Sequence, residues 1–287
     1  MNLTIHKYQG AGNDFIILDN RAGDINLTNK QIEFLCHRRY GIGADGLMLL
    51  SNSSLHSFKM EYFNSDGYPG SMCGNGARCL VAFASKLGIK KLEFEAPDGY
   101  HSAKILSKIG ETINIELQMS DVFKIKEHSP KSFYLNTGSP HFILFIDNLE
   151  NYDVKSHGKM WRHNPIFSEG TNVNFVQGDW GRKSANWSNT IENEDNLEIS
   201  VRTYERGVED ETYACGTGIT ASAIAYHHLL TYNRASKREN FPLNIYTKVH
   251  AIGGELAVKF RYMGPEKYDN IYLIGPATFV FKCNIEI

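Results

Sequence analysis

The sequence predicts an α+β protein made of two copies of one domain, each a set of strands around a buried helix. Three observations carry this. Cys73-Gly74-Asn75-Gly76-Ala77 and Cys215-Gly216-Thr217-Gly218-Ile219 both read Cys-Gly-x-Gly, and both open an Ala-rich apolar run. Gly12 to Asn20 and Gly138 to Asn148 each hold a glycine, a polar turn, a Phe-led apolar run and then Asp-Asn. Glu61-Tyr62-Phe63-Asn64 precedes the first cysteine as Arg202-Thr203-Tyr204-Glu205-Arg206 precedes the second. Any one match could be chance. Three in the same order make duplication the better reading.

The elements follow in turn. Thr28 to Arg39 starts on an N-cap threonine and has an amphipathic face, so a helix is expected there. Ala77 to Leu87 and Thr217 to about Tyr232 are small and apolar around much of their circumference, which is the composition of enclosed helices. Leu92 to Ala96, Ser102 to Leu106 and Thr112 to Leu117 are β-rich, with Pro97-Asp98-Gly99 as a turn signal. Phe142 to Ile146 suits a buried strand, and Ile245 to Val249, Glu255 to Tyr262 and Ile271 to Phe281 also read as strands. Gly178 to Asn196, with Trp180 and Trp187, is polar and rich in Asn, Ser and Gly, and reads as a hairpin tip or surface insertion.

The 287 residues suffice for two compact domains. A net charge of -2 gives no electrostatic footprint for nucleic acid or an anionic membrane. No apolar run has the length of a membrane span, and Met1 to Phe15 lacks a signal-peptide core, so a cytoplasmic location is expected. The five cysteines, Cys36, Cys73, Cys79, Cys215 and Cys283, are odd in number and include no C-x-x-C pair. A disulfide framework and a zinc cage are therefore disfavoured, and no metal is expected. Cys36, Cys79 and Cys283 read as small core residues. Cys73 and Cys215 do not, because glycine-rich flanks mark a tight backbone turn.

A cysteine at a helix start has a chemical use. Unpaired N–H groups and the positive end of the helix dipole stabilise its thiolate. Glycines let the backbone approach a ligand, and the same N–H groups can bind a carboxylate. Two such ends serving one centre would place a substrate's α-carbon between two sulfurs. One thiol could remove a proton from one face and the other return a proton to the opposite face. Nothing here matches a Cys-His protease signature. His141 stands out among eleven histidines because it follows Gly-Ser-Pro at a repeat-equivalent turn. Glu205-Arg206-Gly207 offers an ammonium-binding carboxylate beside a carboxylate-binding guanidinium, although a surface ion pair would look the same.

These residues resemble the diaminopimelate epimerase family over essentially the whole chain. Gly10-Ala11-Gly12-Asn13-Asp14-Phe15, Gly41-Ile42-Gly43-Ala44-Asp45-Gly46 and Phe63-Asn64-Ser65-Asp66-Gly67 look like its early motifs. Cys73 to Cys79 resembles the first active-site motif; Tyr204 to Gly207 with Ala214 to Gly218 resembles the second. The resemblance implies two pseudo-symmetric, β-barrel-like domains around central helices. Their expected extents are 1–120, with a returning strand at about 274–287, and 121–273, with the substrate in the cleft between. It implies a pyridoxal-independent enzyme of lysine biosynthesis that needs no cofactor, acts on a small amino-acid substrate and forms a homodimer. Cys73 and Cys215 would face each other as the acid–base pair, with Cys215 the acceptor in the LL to meso direction. Gly74, Asn75, Gly216 and Thr217 would bind the α-carboxylate through backbone N–H groups. Asn13, Asn64, Asn172, Glu205 and Arg206 would hold the substrate, mainly its distal end, while His141 and Glu205 tune the thiols.

The chain departs from the family pattern in places. Ser139 stands where many members have Asn, which shortens or removes one distal contact. Gly46 stands where some have a substrate-contacting Gln. Val208 to Thr212 is one residue longer than the commoner spacing, and the 178–196 stretch also exceeds the usual length. The alternatives are a related racemase of the proline or hydroxyproline type, or a non-catalytic amino-acid-binding protein of the same fold.

Overall fold

The computed structural model describes residues 1–178, 195–232 and 243–287. The polar stretch read as an insertion, with both its tryptophans, lies outside them apart from its ends. The chain divides into two compact units, Met1–Gln118 with Gly275–Ile287, and Met119–Ile274.

In the first unit β1 (Asn2–Gly10) and β2 (Asn13–Asn20) form a hairpin. Its two-residue loop, Ala11-Gly12, has positive φ at both positions (51° and 87°), the geometry that matches strand twist in a tight hairpin. Helix α1 (Asn29–Cys36) crosses over to β3 (Gly46–Ser51), which runs parallel to β2. β4 (Phe58–Asn64) returns antiparallel, and α2 (Gly74–Lys86) crosses to β5 (Glu93–Ala96), parallel to β4. β6 (Gly99–Ile109) and β7 (Thr112–Gln118) complete a meander. The chain's last strand pairs with β7 through Gly275–Thr278 and with β1 through Thr278–Glu286. Eight strands therefore close a barrel, and every residue of α2 from Gly74 to Ala84 is buried. Closure explains the uninterrupted apolar runs. Ile16, Leu18, Leu47 and Leu49 pack with Ile32 and Leu35 of α1. Phe15 and Met48 meet α2, where a Cβ on Gly76 would lie 2.5 Å from Met48 Cε. Strands covered on both faces do not alternate apolar with polar.

The second unit repeats the plan. β8 (Ile125–Ser129), β9 (Ser132–Asn136) and β10 (Pro140–Phe145) are antiparallel neighbours. Helix α3 (Val154–Arg162) crosses to β11 (Asn172–Gly178), parallel to β10 as β3 is to β2. β12 (Asp195–Glu205) is antiparallel to β11 and carries the short β13 (Asp210–Thr212) beside it. After α4 (Gly216–Tyr232), β14 (Leu243–Ala251) runs parallel to β12, and β15 (Gly254–Gly264) and the first part of β16 (Lys267–Glu286) follow antiparallel. A bridge between Val122 and Tyr268 links the start of the unit to β16, which makes it barrel-like. Gly216 to His228 of α4 are buried.

The α+β, barrel-like reading therefore holds, with both helices enclosed. α1 is shorter than expected. Thr28 caps it with a full capping box shared with Gln31, but His37 is already extended (φ -67°, ψ 119°). α2 starts three residues before Ala77, directly after the cysteine. α3 escaped the sequence reading. Only Val154 and Gly158 of it are buried, so it shows no apolar stripe. Gly158, a poor helix former, is needed because a Cβ there would lie 2.4 Å from Tyr204 Cβ. No helix among the described residues is long and apolar enough to cross a membrane.

Candidate active site

In the first unit Cys73 is the N-cap of α2, in an extended conformation (φ -115°, ψ 113°), and its side chain makes no capping bond. Its carbonyl accepts the first helical bond from Ala77 N at 2.8 Å. The sulfur is thus not committed to the helix end, where the first N–H groups lack intrahelical acceptors. Asn75 is 1% exposed and its Nδ2 donates to Asn13 Oδ1 at 2.6 Å. Asn13 Nδ2 donates to Asp45 Oδ2 at 3.0 Å, and Asp45 Oδ2 also accepts from the Asp14 backbone at 3.2 Å. Arg38 reaches both carboxylates, 2.6 Å from Asp14 Oδ1 and 2.6 Å from Asp45 Oδ1, and Lys7 Nζ lies 2.7 Å from Asp14. Burial alone would raise the Asp14 carboxyl, but bonds from Arg38 and Lys7 hold it below the usual range. Cation-locked carboxylates therefore fix Asn13, and Asn13 orients Asn75. Asn64 lies at the exposed end of β4, against Gly70, whose Cβ would sit 2.8 Å from Asn64 Oδ1. Tyr62 occupies the space a side chain at position 46 would need, since a Cβ on Gly46 would come within 2.5 Å of Tyr62 Cε2.

In the second unit Cys215, 7% exposed, directly precedes α4 and its carbonyl accepts from Ile219 N at 2.8 Å, as in the first repeat. Cys215 Sγ lies 3.5 Å from Thr217 Oγ1. His141, fully buried, has Nε2 2.9 Å from Thr217 Oγ1 and 3.0 Å from Ser139 Oγ. Its Nδ1 stands 3.0 Å from Asn174 Nδ2, and Asn174 Oδ1 accepts from Thr203 Oγ1 at 2.9 Å. Thr203 thus fixes the amide of Asn174, and the amide donates to Nδ1. The proton of the imidazole is left on Nε2, facing the two hydroxyls. Burial, aided by the Arg206 cation, pushes His141 down to about 3, so the ring is neutral at physiological pH. The ring and the Cys215 sulfur thus both meet the Thr217 hydroxyl. Gly218 makes room for this arrangement, since a Cβ there would lie 2.3 Å from Asn174 Oδ1.

The same network holds other expected residues. Asn172 donates to Ser139 Oγ at 3.3 Å and to Pro140 O at 2.9 Å, and its Oδ1 accepts from the Arg206 backbone at 2.9 Å. Arg206 Nη1 donates to Glu169 O at 3.2 Å. Glu205 Oε2 accepts from Thr212 Oγ1 at 2.9 Å. Ser139 therefore takes a place beside His141 and Thr217, whatever it gives up at the distal end. Gly74 and Gly216 open their helices, each next to its cysteine.

Sequence reasoning missed Arg38, Asp45, Arg78, Asn174 and Thr203 as members of these clusters. Asp45, Arg78 and Thr203 lie inside recognised segments, but Asp45 and Thr203 meet partners some thirty residues away, and the role of Arg78, whose nearest acceptors are one turn back on its own helix, depends on its burial. Cys36 and Cys79 are buried and burial raises both thiols, Cys36 to about 12. Among the described residues no group of three or more His, Cys, Asp or Glu is arranged to hold a metal ion.

Solved structures share this fold. The fold matches a Bacillus anthracis phenazine biosynthesis protein of the PhzF family, TM-score 0.70 at 16% identity, with all of both chains covered. A hydroxyproline epimerase from Agrobacterium vitis gives TM-score 0.61 at 11% identity, covering 99% of this chain and 92% of that one. At such identities the likeness concerns fold alone. The profile of the diaminopimelate epimerase family matches residues 5–122 and 133–280. The diaminopimelate epimerase of Flavobacterium psychrophilum is 44% identical over 99% of this chain and 100% of its own length. That of Chlorobaculum tepidum is 40% identical over 97% and 99%. The chain belongs to the diaminopimelate epimerase family.

Proposed function

We propose that this chain is an amino-acid epimerase that interconverts LL- and meso-diaminopimelate in lysine biosynthesis, with Cys73 and Cys215 as its acid–base pair. The observation that carries the reading is the repeated half-site. The carbonyl of each cysteine accepts the first bond of a buried helix, and the adjoining residues offer backbone N–H groups to a carboxylate. Family membership selects the substrate from the amino acids that such a site could take.

The chemistry is the removal of a proton from a carbon that bears both an ammonium and a carboxylate. Negative charge that develops on the carboxylate is met by the N–H groups at Gly74, Asn75, Gly216 and Thr217 and by the two helix dipoles. One cysteine accepts the α-proton as thiolate and the other donates a proton to the opposite face as thiol. The roles exchange in the reverse direction, and the cycle needs no cofactor. Asn13, Asn64, Asn172, Glu205 and Arg206 hold the substrate's polar ends, and Thr217 links His141 to the thiol it tunes.

Incubation of the purified chain with LL-diaminopimelate in D2O tests the assignment. Meso product with one α-deuterium is expected. Unlabelled substrate after prolonged incubation would make the chain a binding protein of this fold, and faster exchange into proline would make it a racemase of the other type. We also propose homodimerisation and a cytoplasmic location. Light scattering of the purified chain and cell fractionation check them, and a monomer at micromolar concentration or an exported protein would overturn them.

A further inference from the structure

The two half-sites are not electrostatically equivalent. Arg78, fully buried, lies one turn into α2. Helical side chains lean toward the N-terminus, and its guanidinium folds back onto the first turn. Nη2 donates to Asn75 Oδ1 at 2.8 Å, Nη1 to Gly74 O at 3.4 Å, and Nε to Pro276 O at 3.4 Å. Among the described residues all its hydrogen-bond acceptors are neutral, so a buried cation stands at the helix end that carries Cys73. Burying a charge without a counter-ion is costly. Packing does not require that cost here. At the repeat-equivalent position of α4 stands Thr220, and its hydroxyl donates to Gly216 O at 3.0 Å. A neutral residue thus serves the same carbonyl in the second half-site.

We propose that Arg78 is a positioning residue of the first half-site, favouring the thiolate of Cys73, the acceptor in the meso to LL direction, and locking the Asn75 carboxamide against Asn13. The inference rests on the proposed pairing of the two cysteines. A cycle that starts with one thiolate and one thiol needs the two sulfurs to differ. The cation beside Cys73 and the neutral His141–Thr217 pair beside Cys215 supply that difference. Burial lowers the Arg78 guanidinium to about 10, and thiolate at Cys79 or Cys73 would raise it, so it is charged at neutral pH. The other ionisable groups around this end of the barrel do not cancel it. Burial raises the Cys79 thiol, which keeps it neutral. On β2, Asp14 is paired with Lys7 of β1 and with Arg38, which also holds Asp45.

The test follows iodoacetamide modification of Cys73 against pH in the full chain, resolved by peptide mass spectrometry and without substrate. Arg78→Met should move the Cys73 midpoint up by about one pH unit or more, the shift expected on losing an adjacent opposite charge. Arg78→Lys, which keeps the charge, should restore most of it, and the Cys215 profile should move in neither variant. A folded Arg78→Met protein with the wild-type Cys73 midpoint overturns the proposal, as does an Arg78→Lys midpoint displaced as far as that of Met. Should the Met variant not fold, Arg78→Gln serves the same comparison. Deuterium exchange is scored separately, so a shifted midpoint in a chain that does not turn over diaminopimelate would defeat the proposed function and leave the role of Arg78 standing.

Discussion

Alanine at either Cys73 or Cys215 is expected to abolish epimerisation and leave the protein folded. Neither sulfur is needed to end its helix. Cys73 caps α2 through its carbonyl and makes no side-chain cap bond, and the Cys215 carbonyl does the same work for α4. Removing the sulfur therefore leaves the backbone bonds in place. The expected chemical loss is large because, in the proposed mechanism, each face of the α-carbon depends on one thiol. Positioned acid–base groups typically contribute about 10²–10⁴-fold each, and loss of either stops a cycle that needs both. Turnover of LL-diaminopimelate beside circular dichroism of each variant checks this. Alanine at Cys36, Cys79 or Cys283 should change stability only. Near-normal turnover by a folded Cys215→Ala protein would remove it from the mechanism.

Much of this architecture was legible because it is encoded locally and twice. The Cys-Gly-x-Gly starts fix where α2 and α4 begin, and their Ala-rich runs identify them as enclosed helices. The Phe-led runs mark β2 and β10, which are covered on both faces. What could not be read depends on partners far apart in sequence. α3 carries little apolar signal because its contact with β12 is made through a glycine and the ring of Tyr204. Asn174 reads as an ordinary strand residue until pairing of β10 with β11 brings its amide to His141. Arg78 sits in a recognised motif, yet its importance lies in its complete burial, which only barrel closure produces. The resemblance gave His141 a tuning role without a route; the hydroxyl of Thr217, which meets both the neutral ring and the Cys215 sulfur, offers one.

Arg206→Lys is expected to lower kcat/KM for diaminopimelate by about 10²-fold, the scale expected when a transition state goes without one buried, charge-assisted pairing. The side chain is half-buried and one of its five donors is used on the Glu169 carbonyl. Among the described residues no carboxylate is paired with it, so the rest of the fork can take the distal carboxylate of a two-ended substrate. Lysine offers a point charge in place of a planar fork and cannot reproduce that pairing. The substitution is also selective. The Arg206 backbone N–H that Asn172 accepts is unchanged, and burial, with the retained positive charge, still keeps His141 neutral, so the surroundings of Cys215 are left as they were. Any fall in turnover then reports the geometry of carboxylate recognition. An amino acid without a distal carboxylate should show no comparable effect, and comparison of kcat/KM for wild type and variant on diaminopimelate and on proline reads both. Wild-type preference for proline, or a variant that turns over diaminopimelate normally, would move the chain to the other racemases. In that case Arg206 would be a structural residue holding the Glu169 loop.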